Sequence, residues 1–296
     1  MICGILALVL YVLKIEENFI VSGLSVAVAL VFFSTNVNTK KFVENREQIA
    51  AIESDLAMAA HIQLGALPAV ENALVGFPQV KVYASIKPAK EVGGDFYDFF
   101  QIDKTHICFV IADVSGKGVP AALFMMTVKT MIKDHASMTL STARVFTEVN
   151  RFLCENNPED MFVTAWIGVL DTETGVMKCT NAGHCSPCFA KKDGSFEFLK
   201  LRHGIFLAGF EETRYKESEI RFENGDCLFL YTDGLTEAHN ELNELYGEQR
   251  LLDKINSMDG RGAALFVRQV EDDVARFSEG TDPFDDVTIM TIKWKE

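Results

Sequence analysis

The chain has 296 residues, 48% of them hydrophobic and 24% charged, which is ample material for a core and argues against disorder. Lysine and arginine number 28 against 42 aspartate and glutamate, and the formal net charge of -14 argues against nucleic acid as a partner. Seven cysteines, an odd number scattered at positions 3, 108, 154, 179, 185, 188 and 227, fit a reducing compartment better than a disulfide framework.

Residues 1–13 (MICGILALVLYVL) and 19–33 (FIVSGLSVAVALVFF) carry no charge, and Lys14, Glu16 and Glu17 lie between them. Each run falls short of the roughly 20 residues of an ideal spanning helix, yet flanking residues and local thinning would let the pair cross as a hairpin. No basic region precedes the first run, which disfavours a cleaved signal peptide. Lys40, Lys41 and Arg46 follow the second run, so the positive-inside rule places the rest of the chain in the cytoplasm. The expectation is a transmembrane hairpin over 1–35 in the inner membrane, with a pair of buried helices as the alternative. From Asn36 to Leu67 the residues Val37, Phe42, Ile49, Ile52, Leu56, Ala59, Ala60, Leu64 and Leu67 recur at helical steps, predicting an amphipathic helix that Pro68 ends. Over 36–68 this helix either links and dimerises with its twin or packs on its own domain.

Residues 69–296 alternate strands and helices without a strict βαβ rhythm. Strands are predicted over 80–86, 107–112, 162–170, 176–181, 188–191, 196–199, 227–231 and 287–294. Helices are predicted over 119–136, 141–156, 248–257 and 261–278. Hairpin turns such as Asp171 to Gly175 and Lys192 to Ser195 imply mostly antiparallel pairing, hence an α+β fold of two stacked sheets flanked by helices.

The stretch from Glu91 to Gly118 reads as two strands, each bringing a carboxylate to a glycine-rich turn. Gly93 and Gly94 precede Asp95, and the apolar run from His106 to Ala112 ends on Asp113, followed by Ser115-Gly116-Lys117-Gly118. Downstream, the strand CLFLY runs into Thr232-Asp233-Gly234, and Asp285-Asp286 opens the strand VTIMTI. A single Asp at a strand end is commonly a turn residue. Four strand-edge positions in one chain suggest one cluster. Carboxylates without His or Cys partners select oxygen-loving ions, so Mg²⁺ or Mn²⁺ is expected over Zn²⁺. Cys185 and Cys188 form the only CxxC; it lacks a second ligand pair for zinc and a helix start for redox work.

In order along the chain stand VGGDFYD (Val92 to Asp98), ADVSGKGVPAALFM (Ala112 to Met125), NAGH (Asn181 to His184), GDCLFLYTDGLTEA (Gly225 to Ala238), YGEQRL (Tyr246 to Leu251) and DDVT (Asp285 to Thr288). This set resembles the metal-dependent PPM-type serine/threonine phosphatases, in their bacterial SpoIIE/RsbU-like branch, over roughly residues 80–296. The resemblance implies a four-layer α-β-β-α sandwich and two Mn²⁺ or Mg²⁺ ions that activate a water for in-line attack on phosphorus. It implies Asp95 and Asp113 as ligands of both ions, the carbonyl of Val114 on one, and Asp233 with Asp285 on the other, with Asp286 as an alternative to Asp285. Lys90 or Lys117 would contact phosphate or be a solvated surface lysine. His184 is either a proton donor to the leaving oxygen or a residue fixing its own turn. The substrate implied is a phosphorylated STAS-type antagonist of an anti-sigma factor in bacterial partner switching. The alternatives are a catalytically silent partner-binding member and a metal-dependent small-molecule phosphohydrolase.

Overall fold

The computed structural model describes residues 2–69, 74, 76–262 and 264–295. Chain contacts divide the molecule into two units, Met1–Met58 and Ala59–Glu296.

The first unit is the bulk of one continuous helix, α1 (Ile2–Gly65). The expected hairpin is not there. Between the two uncharged runs the chain reads Lys14 to Asn18 with no Gly or Pro, so nothing stops helix propagation and no turn reverses the chain. Among the described residues no helix is long and apolar enough to cross a membrane. The membrane anchor and the inner-membrane location that depended on it are thereby corrected. The amphipathic helix is found as part of α1, and its apolar positions Val37, Phe42, Ile49 and Ile52 are exposed.

The second unit begins with the last turn of α1. It continues with β1 (Val80–Lys87), β2 (Phe96–Gln101), β3 (His106–Val114), α2 (Val119–Met138), α3 (Thr142–Glu155), β4 (Val163–Asp171), β5 (Val176–Ala182), β6 (Cys188–Ala190) and β7 (Glu197–Phe198). Then come β8 (Ser218–Arg221), β9 (Cys227–Tyr231), α4 (Asp233–Glu237), α5 (Gly247–Asn256), α6 (Ala264–Phe277) and β10 (Val287–Trp294). Two five-stranded antiparallel sheets result, in the orders β1-β10-β9-β6-β7 and β2-β3-β4-β5-β8. This is an α+β fold with helices flanking the sheets.

Alternation along the strands explains the packing. Ile107, Phe109 and Ile111 of β3 face one way, against Leu228, Leu230, Met290 and Ile292 of the other sheet. Cys108, Val110 and Ala112 face the other way, against Met125, Val128, Ile132, Val145 and Val149 of α2 and α3. The outer face of the first sheet is covered by Leu251, Ile255, Phe266, Val267 and Val270 of α5 and α6. Six cysteines are free thiols, as expected, and Cys3 lies outside the described side chains.

Register sets the functional edge. Phe96 pairs with Ala112, which brings the start of β2 beside the end of β3. Ile289 pairs with Tyr231 and Lys87 with Val287, which brings the start of β10 beside the ends of β9 and β1. Asp95, Asp113, Asp233, Asp285 and Asp286 therefore leave their strands at the same edge of the paired sheets.

Candidate active site

Asp95 is the most buried of these acids, 2% exposed, and its Oδ2 accepts from Thr232 Oγ1 and Thr288 Oγ1, each at 2.6 Å. The two threonines stand on the opposite sheet from β2, so Asp95 ties the sheets together at their edge. Burial, and then the charge of Asp113, push its carboxyl well above the usual range, while the two hydroxyls pull the other way. Asp113, the penultimate residue of β3, is pushed up to about 7 by burial and by Asp233 and Asp285. Asp233 opens α4 and is raised by burial and by Asp285. Asp95, Asp113, Asp233 and Asp285 thus lie at one edge of the paired sheets, near enough for their charges to bear on one another.

Asp286 does a different job. Its Oδ1 accepts from the Ala89 amide at 2.8 Å, and its Oδ2 from the Gly94 amide at 2.8 Å and the Asp95 amide at 3.4 Å. A carboxylate saturated by backbone donors holds the loop before Asp95 in place. Asp285 instead is partly exposed, and its Oδ2 lies 2.9 Å from Lys117 Nζ. Lys117 also donates to the Phe284 carbonyl and lies 4.0 Å from the centroid of the Phe284 ring. Lys90 is exposed in the loop after β1.

Glycine is required where backbones meet. A Cβ on Gly94 would stand 2.6 Å from the Val114 carbonyl oxygen, so any side chain there would push Asp95 away from β3. Gly234 is pressed in the same way against the Asp286 carbonyl.

His184 sits in the turn after β5. Its backbone amide donates to Asn181 Oδ1 at 2.7 Å, Asn181 Nδ2 donates to its carbonyl at 3.0 Å, and its Nδ1 lies 2.9 Å from Thr164 Oγ1. Burial lowers its pKa to about 4, so it is neutral near pH 7 and fixes the turn. The adjacent Cys185 thiol is held protonated by burial, with Asp233, Asp95 and Asp113 adding to the effect. Cys188 is buried in β6, so the CxxC pair belongs to a strand entry and not to a redox helix.

Sequence reasoning missed four supporting residues. Thr232 and Thr288 lay inside the motifs, and their hydroxyls at strand edges beside acids were the available signal. Lys129 of α2 makes a buried ion pair with Asp98 of β2 at 2.7 Å. Gln63, in the last turns of α1, clasps Gly93: its Nε2 donates to the Gly93 carbonyl at 2.7 Å and its Oε1 accepts from the Gly93 amide at 3.2 Å. Gln63 falls on the apolar stripe itself, seven residues after Leu56, and a polar side chain interrupting that stripe was the available signal.

The donor set is oxygen-only, which suits a hard divalent cation and would relieve the repulsion among the acids. Among the described residues, however, no group of three or more His, Cys, Asp or Glu side chains is placed so that it could hold a metal ion.

Comparison with known proteins bears on the family and the fold. The family described as Stage II sporulation protein E (SpoIIE) matches residues 103–295. The phosphoserine phosphatase RsbU of Bacillus subtilis is 32% identical over 195 residues, 64% of this chain and 56% of that protein. Protein IcfG of Synechocystis is 24% identical over 292 residues, 89% of this chain and 45% of that protein. The chain thus spans about half the length of these curated relatives. Among solved structures, the SiaA-PP2C domain of Pseudomonas aeruginosa superposes with a TM-score of 0.72 at 20% identity, covering 83% of this chain and 97% of that domain.

Proposed function

The chain belongs to the SpoIIE family, the PPM/PP2C type of metal-dependent phosphatase fold, and from that premise we propose that it hydrolyses phosphoserine or phosphothreonine in a protein. The observation that carries the reading is the convergence of Asp95, Asp113, Asp233 and Asp285 at one sheet edge, with carboxyls repelling one another. The proposed catalytic unit is 69–296, a four-layer α-β-β-α sandwich, with residues 36–68 as a linker or dimerisation helix. The substrate we infer is a phosphorylated STAS-type regulator in bacterial partner switching, in keeping with the likeness to RsbU.

Asp95, Asp113, Asp233 and Asp285, with the Val114 carbonyl, would hold two Mn²⁺ or Mg²⁺ ions. When bound, such ions offset phosphate charge and acidify a water for attack on phosphorus. The net reaction is phosphoserine plus water to serine plus phosphate. The chain's own groups prepare this. Thr232 and Thr288 fix the rotamer of Asp95, and Asp286 fixes the backbone beneath it. Lys117 orients Asp285 and places a cation at the rim, where a phosphoryl oxygen would arrive. Between the two candidates for the last ligand, Asp285 is favoured: it is partly exposed at the rim, with one oxygen toward Lys117 and the other accepting from the adjacent Asp286 amide, whereas Asp286 is buried beneath the amides of Ala89, Gly94 and Asp95.

The test is phosphate release from phosphoserine peptide, p-nitrophenyl phosphate and nucleotide, with Mn²⁺ and with chelator. Asp113→Asn and Asp233→Asn should each lower Mn²⁺-dependent turnover at least a hundredfold with melting retained. Near-wild-type turnover at saturating Mn²⁺ in either variant would remove that residue from the site. Release from nucleotide alone would point to a small-molecule phosphohydrolase.

A further inference from the structure

Beside the acids lies a cavity of about 160 Å³ that the reaction as described does not use. Gly234, Ala238 and His239 form one wall, Val274 and Ala275 of α6 with Ser278 just after it a second, and the segment Thr281 to Asp285 closes it. Gly234 and Asp285 thus border both the acid cluster and this cavity. Several of its polar wall groups are already engaged. Thr281 Oγ1 donates to the carbonyls of His239 at 2.9 Å and Ser278 at 2.8 Å. Ser278 Oγ donates to Val274 O at 3.0 Å, and Glu271 is paired with Lys87 at 2.9 Å. With Pro88, Ala238, Val274, Ala275 and Val287 in the wall, the cavity offers a ligand chiefly dispersion and desolvation, so the occupant it suits is apolar.

The surface around the cavity has the same character. Phe284 is 56% exposed at the rim, held by the Lys117 ammonium above its ring and by His239 edge-on at 5.9 Å. Leu242 and Leu245, exposed by 78% and 60%, stand on the turn after His239, where Leu245 bridges back to that residue. Phe284 lines the cavity and the two leucines stand on the turn that follows its His239 wall, so exposed apolar side chains adjoin both the cavity and the acids, a surface for something that arrives with the phosphate. A free metabolite phosphate ester has no such apolar arm, whereas a phosphoprotein carries side chains on both sides of its phosphorylated residue.

We propose that this cavity is a specificity pocket that takes an apolar side chain within a few residues of the phosphoserine of the protein substrate. The proposal rests on the phosphatase reading above and adds the substrate determinant to it. Burying one leucine-sized side chain in such a pocket is worth on the order of tenfold or more in kcat/KM.

The test uses the full chain with Mn²⁺ and phosphoserine peptides in which a single Leu is walked from three residues before to three residues after the phosphoserine on a Gly/Ser background. The expected result is a preference of at least tenfold in kcat/KM for Leu at one position, and its loss in Ala275→Phe, which fills the cavity from an exposed helical position. Turnover of p-nitrophenyl phosphate should be unchanged in that variant. Equal turnover of all peptides by the wild-type chain, or a Leu preference that survives Ala275→Phe, would overturn the pocket while leaving the phosphatase reading standing. If Ala275→Phe fails to fold, Ser278→Leu on the cavity wall should reduce the same preference, and an undiminished preference there overturns the pocket. Absence of Mn²⁺-dependent release from p-nitrophenyl phosphate and every peptide would overturn the phosphatase reading and the pocket with it.

Discussion

Asp285→Asn and Asp286→Asn, adjacent and chemically identical changes, should behave in opposite ways. Asp286 accepts from the amides of Ala89 and Gly94 at 2.8 Å each, and is only 8% exposed. An asparagine keeps one acceptor oxygen and turns an NH2 group toward the other amide, so one charge-assisted bond is lost and two donors face each other in a buried site. A lost bond of this kind with an unsatisfied donor costs about 2–4 kcal/mol. For a unit of this size each kcal/mol lowers the melting temperature by about 2–4 °C, so Asp286→Asn should melt roughly 5–15 °C below wild type without metal. Asp285 is partly exposed at the rim, where it accepts from Lys117 and from the adjacent Asp286 amide, and an asparagine oxygen can keep the amide bond; its variant should melt within about 4 °C of wild type and lose Mn²⁺-dependent turnover. Circular dichroism melts of the chelated proteins with a Mn²⁺ titration of turnover would check both. An Asp286→Asn protein that melts like wild type but cannot be activated at any Mn²⁺ concentration would refute the division of labour.

Gln63→Ala removes both bonds to Gly93 and should raise the Mn²⁺ concentration for half-maximal turnover several-fold, read from a metal titration with p-nitrophenyl phosphate. Lys129→Met strands the buried Asp98 carboxylate and should cost about 3–5 kcal/mol in urea unfolding, most of it recovered when Asp98→Leu is added. The Asp103 carboxyl is depressed to about 2, mainly by hydrogen bonds from the Thr105 amide and the His106 ring. Its stabilising effect is therefore present above the unfolded-state value near 4 and disappears as pH falls toward 2. Because the side chain is 48% exposed, Asp103→Asn should lower stability by no more than about 1 kcal/mol at pH 7, with the gap to wild type narrowing below pH 4.

The acids and strands were legible because apolar runs of five to nine residues end on Asp-Gly or Gly-Asp punctuation, and that pattern survives without any knowledge of tertiary contacts. The short strand β8 and the five-residue α4 were not, since Ser218 to Arg221 carries almost no apolar signal and α4 follows directly on Asp233. β2 was read as the first of two strands within 91–118, but without bounds of its own. The hairpin failed for a physical reason. Charge between two apolar runs marks a boundary in hydropathy, but Lys and Glu are good helix formers, so a break in hydropathy was not a break in backbone. The roles of Asp285 and Asp286 were indistinguishable in sequence because the difference lies in which amides of residues 89–95 each one faces.

The clasp between Gln63 and Gly93 bears on where this molecule can be cut. Similarity to the SpoIIE family begins at residue 103, whereas the contact-defined unit begins at Ala59. A fragment trimmed to the family limits would lose β1, β2 and Asp95 outright. One started at residue 69 would keep both sheets complete yet leave the amide and carbonyl of Gly93 to solvent, two residues from Asp95. Such a fragment would be a well-folded protein with a frayed seam, and its metal response would report the missing helical turn and not the enzyme.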